Sequence, residues 1–207
     1  ASWSVGLAII DISNPTDPGA PIYEDTTGSA WGVYVSGDYA YVADYDSGLA
    51  IIDISNPTDP GSPIYEDTAG IACGVYVSGD FAYVANYGAG LAIIDISDPA
   101  NPGAPIYEDT TGNAENVYVS GNYAYVADGD SGLAIIDISD PTNPGTPVYM
   151  DTSGRAYDVW VDGNQIGSRL QFYTPMSGGL NTFFISVFDT QMFIDAFGES
   201  GDSDYQI

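Results

Sequence analysis

A unit of 42 residues, repeated without insertion, constrains this chain more than any other feature. The segment GLAIIDIS starts at Gly6 and returns at Gly48, Gly90 and Gly132, each start 42 residues after the previous one. A fixed period of about 20–50 residues marks a solenoid, propeller or array, in which each unit buries its apolar face only against a neighbour. The fold question therefore reduces to what one unit contains and where the units stop.

Within a unit the strand signals are legible. GLAIIDIS is a short continuous apolar run closed by Asn-Pro or Asp-Pro, the pattern of a strand covered on both faces. PIYEDT, first seen at Pro21–Thr26, is shorter and more polar, as an outer strand would be. VYVSG (Val33–Gly37) and YAYVAD (Tyr39–Asp44) alternate and flank Gly37-Asp38, a two-residue hairpin signal repeated at Gly79-Asp80 and Gly121-Asn122. No window has helical spacing. The chain reads as all-β, with four antiparallel strands per unit in the order GVYV, YAYVA, LAIID, PIYED from the inside outwards. A four-stranded unit of about 40–50 residues is the signature of a β-propeller blade. A parallel β-solenoid is the rival, but it lacks a hairpin in every coil.

The residues from Ala30 to Pro57, AWGVYVSGDYAYVADYDSGLAIIDISNP, resemble the LVIVP repeat family. Its units run A-x-x-V-x-V-x-G-x-Y-A-Y-V-A-D-x-x-x-G-L-x-I-[IV]-D-[IV]-S-[DN]-P. The likeness extends from residue 6 to about 163. It implies a β-propeller in a secreted or surface-attached microbial protein, and it transfers no catalytic residues.

The ends break the pattern. Residues 1–28 supply a half blade, followed by blades at 29–70, 71–112 and 113–154, and residues 155–163 open a last one. Residues 164–207 depart from the repeat and read as a degenerate capping blade or an assembly segment. About five blades are expected, the first incomplete. The half blade needs closure, either by the C-terminal strand or by a strand from another subunit, and closure between subunits propagates filaments.

Charge narrows the function. With 29 acidic and 2 basic residues the formal net charge is −27, a field that repels nucleic acid and anionic membranes. No apolar run approaches the roughly 18 residues of a membrane span, and no secretory leader is readable. Extracellular, calcium-containing or saline surroundings suit such a surface.

Enzyme chemistry lacks its usual parts. There is no His for a triad base, no Lys for a Schiff base, and Cys73 alone cannot build a Cys/His zinc site. Paired carboxylates remain as a glycoside hydrolase alternative. Yet the repeated acids occupy equivalent scaffold positions, and Glu115, at a variable position, has no identifiable partner.

Comparison between copies singles out two variable places. One precedes the inner strand and holds Trp31, Cys73, Glu115 and Tyr157, candidate binding residues at the blade mouths. The other is the loop between the second and third strands, where Asp44, Asp46, Asp128 and Asp130 form Asp-x-Asp-Ser-Gly. Alternate carboxylates on a turn suit a weak Ca²⁺ site, although Asx turns explain the same residues. The expectation is a non-catalytic extracellular or cell-surface protein, structural or adhesive, that self-associates into a homopolymer. The alternative is a monomeric, calcium-assisted module for glycans or surface proteins.

Overall fold

The computed structural model describes residues 6–162 in full and the backbone of three later strands; residues 1–5, 163–164, 173–180, 189–190 and 196–207 lie outside the described residues. Much of the segment 164–207, expected to be a capping blade or an assembly segment, is among the latter. The fold is a β-propeller, with no helix among the described residues.

The half blade contains only β1 (Leu7–Ile9) and β2 (Ile22–Glu24), paired to each other. Blade 1 is β3 (Gly32–Ser36), β4 (Tyr39–Ala43), β5 (Leu49–Asp53) and β6 (Ile64–Glu66). Blade 2 repeats it with β7 (Gly74–Ser78), β8 (Phe81–Ala85), β9 (Leu91–Asp95) and β10 (Ile106–Glu108). Blade 3 comprises β11 (Asn116–Ser120), β12 (Tyr123–Ala127), β13 (Leu133–Asp137) and β14 (Val148–Met150). The degenerate last blade is β15 (Ala156–Asp162), β16 (Gln165–Phe172), β17 (Asn181–Phe188) and β18 (Gln191–Asp195). Every four-stranded sheet is a plain antiparallel meander.

Registers repeat as the sequence does. Ser36 faces Tyr39 across the Gly37-Asp38 turn, and Ser78 faces Phe81 across the next one. Gly37 supplies the left-handed conformation, at φ 58°, that a two-residue hairpin requires. The β18 strand pairs with β17, and among the described strands β1 pairs with β2 alone. β15 to β18 thus form a sheet of their own.

The core lies between sheets. Leu49, Ile51, Ile52, Leu91, Ile93 and Ile94 are at most 1% exposed, each burial worth about 1.5–3 kcal/mol. Third-position strands are apolar on both faces because each has a blade on either side. Ile51 packs toward blade 2, while Ile52 packs toward the half blade. Successive inner strands β3, β7, β11 and β15 lie side by side around the axis.

Candidate ligand-binding mouth

Each inner strand is introduced by a buried alanine that fixes where the variable residue stands. Ala72 exchanges two backbone hydrogen bonds with Tyr45, Ala114 does so with Tyr87, and Ala156 with Gly129. These bridges bind the loop of one blade to the inner strand of the next. There is no room for a larger side chain, since Ala72, Ala114 and Ala156 are fully buried. The next residue, one step on, faces the mouth.

Trp31, Cys73, Glu115 and Tyr157 are thereby brought together, although 42 residues separate each from the next in sequence. They line both a central cavity of about 570 Å³ and an adjoining one of about 410 Å³. Trp31 and Tyr157 present 41% and 36% of their surface. The indole of Trp31 stacks on Tyr45, with centroids 5.3 Å apart and planes at 29°. A bulge between Ala156 and Asp158 leaves Tyr157 without a cross-strand partner in β15.

Polar chemistry is concentrated at one place. Arg155 Nη2 donates to Glu115 Oε1 at 2.5 Å, and the guanidinium carbon lies 5.1 Å from the centre of the Tyr157 ring. Hydrogen bonding to Glu115, then to Tyr87, holds Arg155 firmly charged. Its Nε is buried without a hydrogen-bond partner among the described residues. Burial and, secondarily, the Glu115 carboxylate push the Cys73 thiol up to about 12. Cys73 is therefore a protonated, inert wall of the cavity.

Tyr45, Tyr87 and Arg155 were not singled out from sequence. Tyr45 and Tyr87 lie inside loops whose aspartates draw attention first, and Arg155 stands at the boundary between two repeats. One signal was available: the third copy has Gly129 where the others have tyrosine. Tyr45 and Tyr87 adopt left-handed backbone, at φ 54° and 42°, which costs a non-glycine residue about 1–2 kcal/mol. Two rings are held at the mouth where glycine satisfies the backbone.

The candidate calcium residues are placed differently from one another. Asp44 and Asp128 are buried, whereas Asp46 and Asp130 are exposed. Asp44 accepts hydrogen bonds from Thr26 Oγ1 at 2.7 Å and Gly28 N at 2.8 Å. Asp128 accepts the same pair from Thr110 and Gly112 at 2.6 and 2.9 Å. Both carboxylates join one blade to the next. Among the described residues, no three His, Cys, Asp or Glu side chains gather as a metal site.

The LVIVD repeat matches residues 1–21, 27–63, 69–105 and 111–152, the same units that the structure shows as the half blade and blades 1 to 3. The chain belongs to the LVIVD repeat family. This is the repeat to which the sequence pointed under the name LVIVP. No curated protein matches the chain. Among solved structures, it resembles the computationally designed Ika8 protein with TM-score 0.58 and 10% identity, over 78% of this chain and 47% of that one. The designed Ika4 protein matches with TM-score 0.55 and 11% identity, over 77% of this chain and 92% of that one. Apo AztD from Citrobacter koseri matches with TM-score 0.51 and 15% identity, over 95% of this chain and 53% of that one. The LVIVD chain thus spans about half the length of Ika8 and of AztD. At these identities the likeness concerns the fold of the LVIVD units alone.

Proposed function

We propose that this LVIVD protein is a non-catalytic binding scaffold, extracellular or on a cell surface, that takes a glycan or protein segment at its mouth. The observation carrying this reading is the convergence of Trp31, Cys73, Glu115 and Tyr157 on one aromatic-walled cavity. The positions where the copies differ most are the positions that meet. A flat aromatic wall beside an Arg–Glu pair offers stacking area together with oriented donors and acceptors. Glu115 is committed to Arg155, which supports a binding role over a carboxylate pair acting on glycosides. Glycan and surface-protein arrays probed with the chain and with Trp31→Ala test the proposal. Binding lost in the variant supports it; no binding by the parent, or equal binding by both, overturns it. Turnover of a polysaccharide would replace it with the enzymatic alternative.

A second reading, self-association into a structural or adhesive polymer, is favoured by a separate observation. Among the described strands β1 pairs with β2 alone, and Ile10 and Ile12 just beyond it are 47% and 69% exposed. Their counterparts Ile94 and Ile96 are 0% and 5% exposed. Open strand edges beside apolar faces are templates for pairing between molecules. Sedimentation across protein concentration and ionic strength tests it, and a monomer throughout would remove it.

A further inference from the structure

The molecule itself shows what one corner of the mouth holds. Arg155 is one of two basic residues in the chain, against 29 acidic ones, and the other copies carry Ser29, Ile71 and Asn113 at its position. Its Nη2 donates to Glu115 Oε1 at 2.5 Å, its guanidinium carbon lies 5.1 Å from the centre of the Tyr157 ring, and it is hydrogen-bonded to Tyr87. A carboxylate, an aromatic face and a hydroxyl are together the groups that recognise a guanidinium. Here they come from three successive blades.

Arg155 fits this place imperfectly. Its Nε is buried with no hydrogen-bond partner among the described residues, a cost that a guanidinium not tethered to β15 avoids by turning its fork. The backbone behind it is fixed, because Ala156 exchanges two hydrogen bonds with Gly129. The side chain is 29% exposed and borders the cavity of about 410 Å³, so rotation about its own bonds carries the guanidinium into water. Glu115, by contrast, keeps only 10% of its side chain exposed. Whatever displaces Arg155 must therefore bring a positive charge, since a buried carboxylate left unpaired is strongly destabilising.

We infer that this corner is a guanidinium site held by the chain's own Arg155, and that an arginine side chain of a partner protein segment takes it by displacing Arg155. This rests on the mouth being a binding site and narrows its ligand to an arginine-bearing protein segment. The exchange is even in charge, one guanidinium for another, so Glu115 is never left alone. An ammonium matches the site less well, because it lacks the planar fork that meets a carboxylate and a ring at once. A neutral sugar does not replace the charge at all. Residues beside the ligand arginine have the Trp31–Tyr45 stack, in the same cavity, to lie on. The −27 charge of the chain draws such a segment in. Arg155 then sets the affinity: as an internal competitor it weakens binding in proportion to the time it holds the site.

The test titrates the full chain, at physiological ionic strength, with labelled peptides that are uncharged except at one central residue: arginine, lysine or the neutral isostere citrulline. Expected is saturable binding of the arginine peptide, at least tenfold weaker for the other two. Arg155→Ser, which restores the residue of the first copy, should bind it at least tenfold tighter than the parent, and Glu115→Gln at least tenfold more weakly. If Arg155→Ser melts below the parent because Glu115 has lost its partner, millimolar methylguanidinium should restore the melting temperature and methylammonium should not. No binding by the parent, equal binding of the three peptides, or Arg155→Ser binding no tighter overturns the inference. The arms on the parent chain and on Glu115→Gln decide it even if Arg155→Ser does not fold. Array binding that is lost in Trp31→Ala, without arginine-peptide binding, sinks the guanidinium site and leaves the binding mouth standing. Peptide binding that survives Trp31→Ala but not Glu115→Gln does the reverse.

Discussion

Thr26 and Asp44 lie 18 residues apart and belong to different blades, yet Thr26 Oγ1 donates to Asp44 Oδ1 at 2.7 Å in a buried contact. The contact recurs between Thr110 and Asp128 at 2.6 Å. Between blades 1 and 2 an amide takes the acid's place, Asn86 accepting from Thr68 Oγ1 at 3.1 Å and donating to the Thr68 carbonyl. The scaffold thus contains a natural comparison of acid and amide in one environment.

That comparison yields a pH prediction. Burial raises the Asp128 carboxyl above its ordinary value, outweighing the hydrogen bonds from Thr110 and Gly112. The folded state then holds its proton more tightly than the unfolded state. No penalty exists below the unfolded carboxylate value, and one develops as pH rises through the folded value. Asp128→Asn should therefore gain melting temperature relative to the parent between mildly acidic and neutral pH. A gain of about 1 kcal/mol corresponds to roughly 2–4 °C at this size. A melting difference that does not change with pH would refute the assignment.

The mouth makes a reactivity prediction. Because the Cys73 thiol is pushed up to about 12, its thiolate fraction at pH 8 is roughly a thousandfold below that of a free cysteine. Alkylation by iodoacetamide, followed by mass spectrometry, should be correspondingly slow in the native chain. Glu115→Gln removes the smaller, electrostatic part of the shift and should raise the rate modestly without reaching that of an unfolded control. Rapid labelling of the folded parent would mean that the thiol is not buried at the cavity wall.

Tyr45 should separate stability from binding. Its ring stacks on Trp31 while its backbone is left-handed, at φ 54°. Tyr45→Gly removes the ring and relieves strain, as Gly129 does in the third copy. The expected unfolding free energy stays within about 1 kcal/mol of the parent. Affinity for a ligand found by the arrays should drop at least tenfold. Unchanged affinity would show that this wall is not used.

Two glycines should respond unequally to alanine. A Cβ on Gly112 would collide with the backbone carbonyl oxygen of Asp128, which cannot swing aside as a side chain could. Gly121, at φ 58°, has open space around it. Gly112→Ala should cost about 3 kcal/mol or more, and Gly121→Ala about 1–2 kcal/mol for its left-handed backbone. Urea denaturation of the two variants measures the ordering, and equal losses would contradict the packing at Gly112.

Much of this architecture is legible in the sequence. The period gave the blade, the apolar run gave the doubly covered third strand, and Gly37-Asp38 gave the hairpin and its register. These are local properties, fixed by side-chain alternation and turn chemistry within a dozen residues. The division of labour in the Asp44-Tyr45-Asp46 loop was not readable. Alternate aspartates there suggested carboxylates on one side of a turn, whereas Asp44 turns inward to Thr26 and Asp46 faces solvent. The partner that decides this comes from another blade.

By itself, then, the sequence determined the unit, its strand order and the positions at which copies differ. Tertiary structure decided what those positions meet. Trp31, Cys73, Glu115 and Tyr157 share a cavity because the inner strands stand side by side around one axis. Val33 and Val75 occupy the same position of the same strand, yet one is 41% exposed and the other 7%. Strand formation depends on a residue and its near neighbours; burial depends on whether another blade stands against it. The repeat specifies both valines alike, and only the arrangement of blades tells them apart.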